Sequence, residues 1–228
     1  MSTFSSILLT TLGLVGALLT GCATSGTNGG SGNTSPSVAQ GPVIKPYGSP
    51  LPAGVTLRRN DDIQGVWLAP GFDFRGYNSL VVTETAFQAK ERSNEVQMRA
   101  VARRVLRDQL VEHARQTGVF PAVQAGDGLS ANAGQLTLSN TIIEYERGGG
   151  GARYFVGIYG GGQPVIRVRG EIRDAARLVC VYEMRRSGES VGSRMAGVFM
   201  SDEEIQRNDI RDLASDFADF IKRTAANK

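Results

Sequence analysis

"PVIRVRGEIRDAARLVCVYEMRRSG", residues 164–188, decides the fold. In its first half Ile166, Val168 and Ile172 alternate with Arg167, Arg169, Glu171 and Arg173. A period of two puts the apolar set on one face and the charged set on the other, the pattern of a half-buried antiparallel strand. Asp174-Ala175-Ala176 then reads as a turn, because Asp at the first turn position bonds downstream amides. The second half returns as the pairing strand. Cys180 inside it reads as a small buried apolar residue.

Further elements lie on both sides of this hairpin. Upstream, "QLTLSNTIIEYERG" reads as a longer strand and "VFPAVQ" as a short one. Another strand runs from about Ser79 to Thr85, with Gly76 and Asn78 punctuating its start. "SNEVQMRAVARRVLRDQLVEHARQTG" carries Met98, Val101, Ala102, Val105, Leu106 and Leu110 at helical spacing. Gly118 and Pro121 end that helix. Its arginines (Arg99, Arg103, Arg104, Arg107 and Arg115) are interleaved with acids and lack aromatic partners. They read as a solvated helix face, not a nucleic-acid patch. At the C-terminus Ser201 and Glu204 form a capping-box pattern ahead of an apolar stripe that includes Ile210, Leu213, Phe217 and Ile221. The expected fold is α+β: a two-layer domain over residues 61–228. Its sheet is mostly antiparallel or mixed, with the long helix and the C-terminal helix packed on one face.

Composition narrows the chemistry. The chain has 228 residues, a formal charge of +3, two cysteines and one histidine. That balance is too mild for a nucleic-acid binder. His113 is the sole histidine and lies in the charged helical pattern, so no mechanism needing a histidine pair is available. Cys22 and Cys180 show no metal-ligand spacing. No catalytic residue, metal site or cofactor is expected. Carboxylate pairs such as Glu144 and Glu146, or Glu183 and Glu189, could suggest acid-base work but read as strand-face solvation.

The N-terminus carries a different kind of signal. An apolar run from Ile7 to Leu19 leads into Leu19-Thr20-Gly21-Cys22. This resembles a bacterial lipoprotein signal peptide with its lipobox, although "MSTFSS" holds no Lys or Arg. The resemblance implies that residues 1–21 are cleaved and that Cys22 is lipidated on its sulfur and its new amino group, palmitate-type acylation included. Several chains at about 0.8 kcal/mol per buried CH₂ make a stable membrane anchor. By the same resemblance, Ala23 after the cysteine implies sorting to the outer membrane with a periplasmic domain. Residues 22–60, rich in Gly, Ser, Thr, Asn and Pro, are expected to be a flexible linker, with docking on the domain as the alternative around Val43 to Tyr47.

The glycine-rich stretch "RGGGGARYFVGIYGGG", residues 147–162, lacks the Lys of a phosphate-binding loop and the glycine spacing of a dinucleotide fingerprint. It reads as a strand-to-strand connection. Its aromatic and aliphatic residues either pack on the core or meet a partner, which makes Arg153, Tyr154, Phe155, Ile158 and Tyr159 the candidate contact residues.

From Trp67 onward the chain resembles the bacterial lipoprotein family filed as domain of unknown function 4410. The residues that carry the resemblance are "VWLAPGFDFRGYNSLVV", Arg153-Tyr154, Gly157, Gly160, Gly162, the alternating strand and Asp174. Where members continue with a Thr-Gly-like turn, Ala175-Ala176 stand here. The resemblance implies a small α+β domain, analogous in fold to those of curli-secretion and peptidoglycan-synthase-activator lipoproteins. It brings no reaction. The expected role is a non-catalytic binding or assembly accessory in the envelope, meeting an envelope protein or another copy of itself. An envelope hydrolase or nucleotide-binding protein is the alternative.

Overall fold

The computed structural model describes residues 41–89, 96–127, 132–146, 164–188 and 201–227. The predicted hairpin is its centre. Numbering elements in chain order, β1 is Gly65–Leu68, β2 Ser79–Val82, β3 Ala86–Phe87, α1 Val96–Gln116 and β4 Ala122–Ala125. β5 is Gln135–Glu146, β6 Val165–Asp174, β7 Arg177–Arg186 and α2 Asp202–Ala226. The seven strands form one sheet in the order β1-β7-β6-β5-β2-β4, with β3 also pairing β5. β1, β7, β6 and β5 are antiparallel neighbours. β2 is parallel to both β4 and β5, so the sheet is mixed and the molecule is α+β.

The apolar alternation of β6 is the inner wall of the core. Ile166, Val168 and Ile172 are fully buried and share one cluster with Leu106 and Leu110 of α1 and Phe217 of α2. α2 begins as its sequence predicts. The Ser201 hydroxyl accepts the Glu204 amide at 3.2 Å, and the Glu204 carboxylate accepts the Ser201 amide at 2.9 Å, which satisfies two otherwise orphaned donors. Its stripe of Ile210, Leu213, Phe217, Phe220 and Ile221 is buried against the sheet.

Two β-bulges set which residues meet. In β7 the register shifts by one between Ile172 and Arg173, which places Tyr182 opposite Gly170 and Glu183 opposite Arg169. The Tyr182 ring fills the space beside Gly170: a Cβ there would sit 2.1 Å from the ring. Tyr182 donates to Asn140 Oδ1 at 2.5 Å and packs on Phe217 with ring centroids 4.9 Å apart. In β5 the shift falls between Ile142 and Glu144. It keeps both Ile142 and Tyr145 in the core and sends Glu144 to the opposite face.

Three expectations need correction. Residues 41–60 are not a flexible linker. Val43 bridges Arg58, Arg58 bridges Val66 of β1, and Leu57 is fully buried. The composition promised too little apolar burial to hold this segment, but its main chain finds partners along the sheet edge. Second, the arginines of α1 are not simply a solvated face. Arg99 is buried with its guanidinium 4.4 Å from the centre of the Phe87 ring. Arg103 donates to the Thr85 carbonyl and Arg115 to the Val123 carbonyl, so three of them tie the helix to the sheet. Third, the Asp174 carboxylate does not cap its own turn. It accepts the Tyr77 hydroxyl and Arg177, each at 2.9 Å, and so fastens the hairpin tip to the loop ahead of β2. The turn itself relies on Ala175 in the left-handed region, at φ 49°.

Candidate functional site

Cys22 and the loop residues Arg153, Tyr154, Phe155, Ile158 and Tyr159 lie outside the described residues. The ends of that connection are described. Glu146 and Val165 are register partners at the last rung of β5 and β6. Beside them a cleft of about 310 Å³ opens between the first halves of α1 and α2. Met98, Val101 and Val105 line it from α1, Gln206 and Ile210 from α2, and Tyr145 from β5. These α1 positions belong to the predicted apolar stripe, which is wider than the surface the core covers. Leu106 and Leu110 go inward, while Met98, Val101 and Val105 stay half-buried in the cleft wall. The bulge in β5 aims Tyr145 here, where its hydroxyl donates to Gln206 Oε1 at 2.8 Å. Gln206 in turn donates to the Glu146 carbonyl at 3.4 Å.

A second, wider cleft of about 540 Å³ has a polar lining. Asp62 there pairs with Arg223 at 2.9 Å, and Asp216 pairs with Arg186. Burial pushes the carboxyls of Asp62 and Asp216 above their usual range, and the neighbouring arginines oppose that shift. Among the described residues no group of His, Cys, Asp and Glu is placed to hold a metal ion. Among the same residues no helix is long and apolar enough to cross a membrane.

The most constructed polar site lies on the other face of the sheet. The charged alternation of β6, read from the sequence as solvated, is partly covered. Arg169 and Glu183 face each other across the β6–β7 register at 2.6 Å, with side chains only 9% and 1% exposed. What covers them is the main chain of residues 47–49. Arg169 donates to the Tyr47 carbonyl at 2.7 Å and to the Ser49 carbonyl at 3.0 Å. Glu183 accepts the Tyr47 amide at 3.3 Å. Beside them Arg167 stacks over the Tyr47 ring, 4.4 Å from its centre, and is held by Glu144 at 2.9 Å. Removing one partner of a pair this deeply buried costs about 3–5 kcal/mol, because the other charge is left uncompensated. Chemically, the arrangement reads peptide main chain with one donor fork and one acceptor, and reads an aromatic ring with a cation.

Sequence reasoning missed this site. Counted back from the Asp174–Arg177 rung, an unbroken hairpin would set Arg169 opposite Tyr182. The bulge brings Glu183 there instead. The one available signal was a strand rich in arginine facing another that holds a glutamate.

No family model matches the chain, and no curated protein matches it. Solved structures do. One is a PelC dodecamer from Paraburkholderia phytofirmans, at 16% identity and a TM-score of 0.43, covering 66% of this chain and 96% of that one. Another is protein XCC0632 from Xanthomonas campestris, assigned to domain of unknown function 330. It has 13% identity and a TM-score of 0.35, covering 70% of this chain and 94% of that one.

Proposed function

We propose that this protein is a lipid-anchored cell-envelope protein whose α+β domain is a non-catalytic binding or assembly accessory. The observation that carries the anchor is the apolar run from Ile7 to Leu19 ending in Leu19-Thr20-Gly21-Cys22, the arrangement a lipoprotein peptidase and a diacylglyceryl transferase require. Lipidation at Cys22 then holds the domain at the outer membrane, facing the periplasm. The binding role is supported by the surfaces of the domain: a cleft of mixed polar and apolar lining between the two helices, and a main-chain-reading pair on the opposite face. Its partner in this reading is an envelope protein.

The test is Cys22→Ala in cells fed a labelled fatty acid. Wild type takes up label and fractionates with membranes; the variant does neither. A wild-type chain that takes up no label, or a variant that stays with the membrane, overturns the anchor. For the binding role, turnover of an ester, glycan or nucleotide substrate that is lost on mutating a specific acid refutes the non-catalytic reading.

A further inference from the structure

The segment lying across Arg169 and Glu183 is held in an unusual way. Residues 45–50, Lys-Pro-Tyr-Gly-Ser-Pro, are largely exposed on their outer side. Tyr47 is 39% exposed. Little apolar area secures them, and segments with few apolar contacts open at low cost. The site beneath is far better built than its cover. Arg169 and Glu183 are each more than nine-tenths buried, and together they take both main-chain groups of Tyr47 and the carbonyl two residues on. The bound segment is bent, not extended, because Gly48 sits at φ 69°; main-chain hydrogen bonds hold it and one side chain is selected. The selecting contact is Arg167 over the Tyr47 ring. The cover is seated at its N-terminal end by Ile44, whose Cδ1 occupies the notch where Gly65 lacks a side chain, 2.1 Å from the place of a Cβ. Its C-terminal half has no comparable notch among the described contacts.

We propose that the polar face of β6 and β7 around Arg169 and Glu183 is a binding site for a bent peptide segment of another protein that carries an aromatic residue followed by glycine, and that residues 45–50 occupy it in cis as an autoinhibitory strap. Main-chain recognition makes the site tolerant of sequence apart from the aromatic and the glycine after it, which supplies the positive φ of the bend. Displacing the strap exchanges one set of main-chain hydrogen bonds for an equivalent set, so the pair is never left bare. This inference rests on the domain being a binding module and does not depend on the anchor. A chain that fails the lipid-labelling test above still has this site, and a lipidated chain can still lack it.

The experiment uses the detergent-solubilised full chain and a fluorescein-labelled peptide of residues 43–50, Val-Ile-Lys-Pro-Tyr-Gly-Ser-Pro. Tyr47→Ala in the chain weakens the resident strap and leaves the site intact. The labelled peptide is expected to bind this variant at least tenfold more tightly than wild type. Placing Arg167→Gln in the same background removes that gain, as does replacing the tyrosine of the peptide by alanine. Hydrogen exchange monitors folding: in Tyr47→Ala the amide of residue 47 speeds up at least tenfold while β6 and β7 amides keep their protection. The proposal is overturned by equal affinity for wild type and Tyr47→Ala, by binding indifferent to the peptide's tyrosine, or by no binding to a variant whose strap amides have opened. It is also overturned if Tyr47→Ala chains double in size by exchanging straps, since the occupant is then a second copy.

Discussion

Replacing Gly170 by alanine tests the core most severely. The added Cβ meets Tyr182 Cζ at 2.1 Å and Cε1 and Oη at 2.4 Å. Reaching ordinary contact requires the ring to move by about 1.3 Å. It has nowhere to go, because the Tyr182 side chain is fully buried, hydrogen-bonded to Asn140 at 2.5 Å and packed on Phe217. Overpacking of this kind costs about 1–3 kcal/mol. A shift of the hydroxyl away from Asn140 adds about 1–3 kcal/mol for a buried acceptor left unmet. The expected loss is about 2–6 kcal/mol, a large part of the 5–15 kcal/mol typical of a domain. It is read as the shift in urea midpoint at constant slope. A double-mutant cycle isolates the cause. In a Tyr182→Ala background the ring is gone, so Gly170→Ala becomes nearly neutral and the coupling energy exceeds about 2 kcal/mol. A loss below about 1 kcal/mol in wild type, or an equal loss in both backgrounds, refutes the reasoning.

Other expectations follow from single contacts. Ala175→Gly relieves a left-handed alanine at φ 49°, a conformation costing about 1–2 kcal/mol. Part of that is returned to unfolded-state entropy, so thermal denaturation shows a net gain of about 0.5–1 kcal/mol. Hydrogen bonds from Ser201 hold the Glu204 carboxyl below its usual range. Its folded value is therefore the lower one: the contribution is present above the unfolded value and is lost as pH falls through the folded value. Glu204→Gln keeps the capping geometry, so the wild type's higher urea midpoint near neutral pH shrinks toward the variant's as the pH falls through the folded carboxyl value. Asp216 has the opposite sign, because burial raises its carboxyl despite Arg186. Its contribution falls as pH rises from the unfolded to the folded value, and that segment disappears from the midpoint profile of Asp216→Asn. Cys180 is fully buried and desolvation pushes its thiol far up; in a Cys22→Ala chain, iodoacetamide therefore labels it only after denaturation.

The outer architecture was legible because periodicity is a local record of burial. Ile166, Val168 and Ile172 alternate with charges, and those three residues face the helices. Ser201 and Glu204 announce α2, and the capping box is formed. The stripe of α1 was read correctly, but its width was not interpretable from sequence. Whether Val101 and Val105 meet a sheet or line a cleft depends on where α2 crosses, which no pattern within α1 encodes. The parallel pairing of β2 with β4 and β5 was equally hidden, since strand direction is a property of connections and not of alternation.

The sequence by itself determined the hairpin at residues 164–188, the two helices, the buried role of Cys180 and the α+β class. Each follows from spacing within one element. The tertiary structure alone decided the partner of every residue on that hairpin. One bulge in β7 moves the register by a residue and gives Gly170 to Tyr182 and Arg169 to Glu183; a bulge flips the faces beyond it, but Val179, Cys180, Val181 and Tyr182 form a continuous buried apolar run, so no break in alternation marks it. The covered polar face was invisible for a related reason. Alternating arginines record a face that needs hydrogen-bonding company, and here that company is the carbonyls of Tyr47 and Ser49. Main-chain groups are common to every residue, so no composition of residues 41–60 could announce that they were the ones.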